Sequence, residues 1–453
     1  MLCTLKISDS HITITFPRIN KMAIPRTAPR AIKWGEYVLA EIPKNYDMQK
    51  RKQHSFRLMK NVPFTLPEIS VKCHMRNKNI YLSPVVSILL DPLSVKGKHV
   101  KNKKGKMVVL NELAKTLSEQ GMIVTAIHPE HINEADTCLT GYVYTPVKMN
   151  MSSPWKPAKF PWSEVVYNQI SSRKWEAMEV SQKAKRILID KIGAGFFNTS
   201  FLDKYLSYSV LKNGAGIAKY LLDTRIYSQE DLTDMIGKYD SLYIKPIQNS
   251  LGVGIWRYSK LSDGKYVFQT KRNGKIVNYI SGNLTKLVDF FQSKVDNRSY
   301  LIQQGVRFLK YDERIFDIRA LAQKNAYGKW SLTGAGARVA APKAFMTHIP
   351  NGGEIMDLKK LLRQIVADEA QQKFMYEQLE EMAARIPAAL ETGLGKNFGE
   401  ISMDIGVNDN LQLSLIEINA KPMKFDEKEI QSKAIEKLSQ YISYLCNWHE
   451  VPE

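Results

Sequence analysis

The chain has 453 residues, 44% of them hydrophobic, with 65 Lys and Arg against 45 Asp and Glu and a formal net charge of +20. That length and apolar content exclude disorder as the main state and leave room for two or three domains. The cysteines, Cys3, Cys73, Cys138 and Cys446, lie far apart without a Cys-x-x-Cys pair, which argues against a disulfide framework, a zinc ribbon or a thioredoxin-type site and for a reducing, cytoplasmic setting.

The basic excess is concentrated at the front, where residues 1–110 hold 21 Lys and Arg and 6 Asp and Glu, against 44 and 39 in the remainder. Runs such as Lys50-Arg51-Lys52 and Lys101, Lys103, Lys104 and Lys106 suit an anionic partner (nucleic acid, lipid or an acidic protein surface) or are solvated loops. Loose alternation from Leu2 to Phe16 predicts strands and a small β-rich module. Around 81–90 the pattern becomes a buried strand. A helix follows over 108–120 with Gly121 as its stop, then a strand over 122–127, together a βαβ-type unit. A Pro/Trp/Lys stretch from Pro146 to Pro161 interrupts it, and His128-Pro-Glu-His131 reads as a surface loop rather than a metal pair. A charged helical segment over 173–191 leads to a domain boundary near 190. No apolar run approaches the ~20 residues that cross a bilayer, and the N-terminus lacks a signal-peptide apolar region.

Beyond the boundary, strands are expected over 241–245, 266–270, 275–280, 300–306, 317–324, 330–338, 400–407 and 412–419, with helices over 284–294, about 370–391 and 427–445. Adjacent strands with helices segregated between them indicate an α+β domain.

Three stretches carry chemistry. In Leu242-Tyr-Ile-Lys245, alternation places Leu242 and Ile244 on one face and Lys245 on the other, and the glycines of Gly252-Val253-Gly254 let backbone approach a ligand, a combination suited to nucleotide phosphates. In Glu400-Ile-Ser-Met-Asp404 and Leu413-Ser-Leu-Ile-Glu417-Ile-Asn419, Glu417 and Asn419 share a strand face while Ile416 and Ile418 take the core side. If Asp404 lies opposite Glu417, two carboxylates and an amide oxygen converge, a donor set that favours Mg²⁺. Arg319 and Arg338 sit on strands where a planar fork could meet phosphate oxygens, or could instead pair with a carboxylate such as Asp317. The strand entering Gln303-Gln304-Gly305-Val306 could present backbone to an adenine edge.

In this order the elements resemble the ATP-grasp superfamily, and more closely the YheC/YheD family of ATP-grasp proteins associated with the endospore coat, most like the YheD branch. The stretches carrying the resemblance are 160–168, Phe196-Phe-Asn198 through Lys204, 245–255, Phe316-Asp-Ile-Arg319, Arg338-Val-Ala and 415–422. It implies an ATP-grasp fold of two α+β subdomains gripping ATP over 191–447, a pre-ATP-grasp βαβ domain over 80–190 and a basic β-rich module over 1–79. Lys204 and Lys245 would hold ATP phosphates, Gly252, Val253 and Gly254 would close over them, and Gln303, Gln304, Gly305 and Val306 would lie against adenine. Arg319 and Arg338, with Lys245, would serve the reacting phosphoryl group, and Asp404, Glu417 and Asn419 would bind two Mg²⁺ (or Mn²⁺). Met423 departs from the glycine that commonly follows this Pro. The implied activity is ATP-dependent ligation of an unidentified carboxylate to an amine or thiol through an acyl phosphate. The implied location is the cytoplasm, at the developing spore coat, with residues 1–110 meeting a coat or other anionic partner. Two alternatives are a non-catalytic nucleotide-binding coat protein and a small-molecule kinase.

Overall fold

The structure, a computed structural model, describes residues 2–16, 29–44, 46, 48, 53–92, 105–146, 153–247, 253–272, 274–295, 299–347, 352–422 and 424–447. Lys50 to Lys52, Lys101 to Lys104, Gly252 and Met423 lie outside the described residues. The described residues fall into two compact units, one within Met1–Ser200, Asn325–Gly328 and Ala434–Glu453, the other within Phe201–Lys324 and Lys329–Lys433.

The first unit is built on two sheets. Alternation in Leu2–Ile7 and His11–Thr15 buries Cys3, Leu5, Ile7, Ile12 and Ile14, and these strands sit in a sheet of seven that includes Ala31–Trp34, Gln53–Arg57 and Leu66–Arg76. In the second sheet Val85–Leu89 pairs in parallel with Ile123–Ile127 and Val165–Asn168. The crossover helix Lys106–Glu119 buries Leu110, Leu113, Ala114 and Leu117, one face of a 3.6-residue repeat. Gly121 follows at φ +86, where a Cβ would stand 2.2 Å from Lys72 Cγ, so both backbone and space demand glycine.

Two expectations fail in this unit. The Pro/Trp/Lys stretch contains a strand, Trp155–Phe160, paired with Leu139–Tyr144. It is the outermost strand of its sheet, where the missing N–H of Pro157 is tolerated. His128 is buried rather than on a surface loop, and its Nδ1 donates to the Leu90 carbonyl at 3.1 Å.

The second unit holds two further sheets. One runs in the order Thr224–Ile226, Tyr300–Gln304, Ser241–Pro246, Trp256–Lys260, Tyr266–Arg272 and Lys275–Ser281. Its apolar face, including Leu242, Ile244, Tyr258 and Phe268, packs on Leu287 and Phe291 of helix Leu284–Lys294. The other runs Glu354–Asp357, Trp330–Val339, Arg314–Lys324, Glu400–Val407 and Leu413–Asn419, all antiparallel. Helix Glu369–Leu394 lays Met375, Leu379, Met382, Ala383, Ile386 and Leu390 against its core face, where Ile318, Ala320, Ala337, Met403 and Ile405 are fully buried. That packing leaves the opposite face to polar side chains.

Candidate functional site

On strand Ser241–Pro246 the alternation acts as expected: Leu242 and Ile244 are buried in the core, and Lys245 lies on the other face with 8% of its surface exposed. Its Nζ donates to Gln303 Oε1 at 2.6 Å, and Gln303 Nε2 in turn donates to Thr224 Oγ1 at 3.3 Å. Burial pulls the Lys245 ammonium down to about 8; Glu417 and Asp404 oppose this and Lys204 adds to it. At the following connector the Gln304 amide donates to Asp223 O and the Gly305 amide to Ser241 O, each at 2.8 Å. A Cβ on Gly305 would stand 2.6 Å from Ser241 Oγ, so glycine permits this approach.

The second sheet of the unit supplies the acidic side. Asp404 lies opposite Glu417, and Arg319 opposite Asp404, so the three side chains form a row across three strands on one face. Asn419 stands one row along, opposite Ser402. The register slips immediately after Asp404, so that Ile405 opposes Leu415 and Ile416 is the extra residue of a bulge. Ile416 is therefore not on the core face with Ile418, as simple alternation predicts; it lines the cleft beside Glu417.

Arg338 joins this row from the neighbouring strand. Its Nε and Nη2 each lie 2.7 Å from a separate oxygen of Asp317, and Nη2 also lies 2.9 Å from Asp404 Oδ2. The pairing with Asp317 left open by the sequence is thus formed, and it aims the guanidinium at Asp404. Burial pushes the Asp317 carboxyl up, and the Arg338 charge works against that shift. Thr347 Oγ1 donates to Asp317 Oδ2, completing its partners.

These groups surround an open cleft whose lining includes Tyr243, Lys245, Gln303, Gln304, Arg338, Asp404, Ile416 and Glu417. Lys204 adjoins it with Nζ 3.7 Å from Glu417 Oε1, carried on helix Lys204–Lys212, which Asp203 caps by accepting from the Leu206 amide. Val253, Gly254, Gly305, Val306, Arg319 and Asn419 are not among the described residues lining the cleft. Val253 is 61% exposed, Gly254 adopts φ +78, and the Arg319 guanidinium lies 5.6 Å from the Phe425 ring centre. Sequence reasoning missed Thr224, Thr347 and Ile416. Nothing in their local sequence signals them, because each is brought in from another element or by the bulge.

The chemistry of the donor set suits a hard cation. Asp404 Oδ1 is buried without a hydrogen-bond partner, which is costly unless something positive approaches it. Among the described residues no three His, Cys, Asp or Glu side chains gather as a metal centre, so a cation here would draw on Asp404, Glu417, the Asn419 amide and non-protein oxygens.

Two α+β sheet layers, one carrying a buried lysine and the other a facing pair of carboxylates, make this an ATP-grasp fold. Residues 193–445 match the family model described as YheC/D like ATP-grasp, and the chain belongs to that family. It is similar to the endospore coat-associated protein YheD of Bacillus subtilis (strain 168), 26% identical over 309 residues that make up 68% of this chain and 66% of that protein. The match thus spans just under two thirds of that relative's length. Among solved structures it is similar to the D-alanine-D-alanine ligase of Coxiella burnetii, at TM-score 0.43 and 12% identity, covering 80% of this chain and 95% of that one. It is also similar to D-alanyl-alanine synthetase A of Vibrio cholerae, at TM-score 0.40 and 11% identity, covering 81% and 98%.

Proposed function

We propose that the protein binds ATP with Mg²⁺ in this cleft and uses it to activate a carboxylate as an acyl phosphate, which an amine or thiol then attacks. The observation that carries this reading is the convergence of Lys245, Arg338, Asp404 and Glu417 on one cleft. Lys245 and Lys204 hold phosphate oxygens, and Gln303 to Val306 lie along the base, with Val253 and Gly254 near the phosphates. Arg338, fixed by Asp317, and Arg319 offset the charge that builds up on the transferring phosphoryl group. Asp404, Glu417 and Asn419 would hold Mg²⁺, or Mn²⁺ in its place, which when bound polarises the phosphoryl oxygens. No protein nucleophile is needed.

Residues 191–447 constitute the ATP-grasp domain in this reading, 80–190 the domain before it, and 1–79 a basic β-rich module. The likeness to YheD supports a place at the spore coat, with the basic front segment meeting an anionic partner there. Among the described residues no helix is long and apolar enough to cross a membrane. The test is calorimetric titration with ATP and Mg²⁺, followed by a screen of carboxylates with amines and thiols for ADP release. Both signals are expected in the wild type, and Lys245→Ala and Glu417→Ala are each expected to abolish turnover. ATP binding with no acceptor-dependent ADP release across the screen would replace ligation with a purely binding role.

A further inference from the structure

A further carboxylate, which the reading above does not use, lies over the same sheet face. Gly336 lies opposite Arg319 in the strand register, so the row Glu417, Asp404, Arg319 continues to a position with no side chain. Glu427, just before helix Lys428–Leu445, fills that position from above: a Cβ on Gly336 would stand 1.7 Å from Glu427 Oε1. Two residues away, Gly334 is overlaid in the same manner by Ile430. Glycines at 334 and 336 are therefore what admit this segment onto the face.

Glu427 is half-buried, and the charged groups acting on it are Asp426, Arg319 and Arg338. Among the described residues no basic side chain lies within ion-pair distance of it, so its charge is available to a ligand. It does not gather with Asp404 and Glu417 into a three-carboxylate metal centre among the described residues. The row thus runs Glu417, Asp404, Arg319 and Gly336, with Glu427 laid over the glycine and Asp357 opposite it on the next strand.

We propose that Glu427 is the acceptor-recognition residue, holding the ammonium group of an amine acceptor beside the acyl phosphate, so that the bond made is an amide and not a thioester. This rests on the ligase reading above. A carboxylate attracts an ammonium and repels a thiolate, so its position discriminates between the two acceptor classes. In the step it serves, one proton of the ammonium passes to Glu427 and the amine nitrogen forms the C–N bond. The acyl C–O bond to phosphate breaks, and inorganic phosphate leaves with the second proton.

Hydroxylamine separates the two halves of the test, because it is uncharged near neutral pH and traps an acyl phosphate without needing an ammonium site. The full-length protein, ATP, Mg²⁺ and a panel of carboxylic acids are assayed with hydroxylamine, with amino acids as amine probes and with 2-mercaptoethanol as thiol probe. Wild type is expected to form hydroxamate and amide but no thioester. Glu427→Gln is expected to raise the hydroxamate-to-amide ratio ~100-fold, with Glu427→Asp recovering part of the amide rate. Gly336→Ala, which displaces the carboxylate, should move the ratio in the same direction. If hydroxamate forms and the ratio stays within about twofold of wild type, or if the thiol is the better acceptor, Glu427 does not have this role while the ligase reading stands. If wild type forms no hydroxamate with any acid, both fall together.

Discussion

Asp404 gives one carboxylate oxygen to Arg338, 2.9 Å from its Nη2, and keeps the other, Oδ1, buried without a hydrogen-bond partner. A carboxylate so divided is committed to the arginine on one side and open to a cation on the other. Mg²⁺ should therefore strengthen ATP binding in the wild type, and chelation with EDTA should weaken it. In Asp404→Asn, ATP affinity should become insensitive to EDTA. With Mg-ATP at about 100 times its Kd, the wild type should gain ~2.7 kcal/mol of stability, read as a rise in Tm that the variant lacks.

Lys245 is a buried cation whose partner in the protein is neutral Gln303. Replacing it by methionine removes the cost of burying an ammonium, so the ligand-free Lys245→Met protein should melt no lower than wild type. Loss of a buried phosphate contact should weaken ATP binding by ~2 kcal/mol or more, on the order of thirtyfold in Kd. A melting curve and a titration on the same preparation check both.

The same burial sets a pH dependence. The folded ammonium titrates at about 8, below the ~10.4 of an unfolded lysine. Between these values the unfolded chain binds the extra proton, so this group makes the ligand-free protein more stable as pH rises through that window. ATP binding runs the other way. Phosphate charge restores the ammonium, a proton is taken up, and affinity falls as pH rises above 8. Titration in buffers of different ionisation enthalpy should show that uptake near pH 8.5 and lose it in Lys245→Met.

Arg338 and Asp317 form a two-point pair within the sheet, with both side chains mostly buried. Arg338→Ala strands the Asp317 carboxylate and should cost ~3–5 kcal/mol, seen as a lower denaturation midpoint. Arg338→Lys restores charge without the fork, so it should recover stability in part while leaving turnover low.

At the connector, Gly305→Ala should cost ~1–3 kcal/mol, because the added methyl meets both Oγ and O of Ser241 at under 3 Å. ATP affinity should fall with it, since the backbone lying along the base has to shift. A titration showing unchanged affinity would separate this connector from the base-binding role.

Much of the second unit is legible in the chain itself. The period-two patterns around Lys245, Asp404 and Glu417 announce strands whose polar positions share a face, because alternation is a local property of extended backbone. The helix over Leu284–Lys294 is likewise readable from its apolar spacing and its Asn283 cap. Local pattern does not reveal registry between strands. Ile416 reads as a core residue until the bulge after Asp404 turns it into the cleft, and the strand Trp155–Phe160 is hidden behind a proline that only an edge position excuses.

By itself, the sequence determined which residue types stand on which strand faces wherever alternation is unbroken, and hence that a lysine, two arginines, two carboxylates and an amide could serve phosphate and cation. Tertiary structure alone decided that Arg338 is clamped by Asp317, that Lys204 reaches Glu417, and that Glu427 lies over a glycine in the row beside Arg319. The physical reason is range: backbone geometry fixes a side chain's direction within a few residues. Partners drawn from strands and helices far apart in sequence are chosen by burial of the whole core, which no short segment encodes.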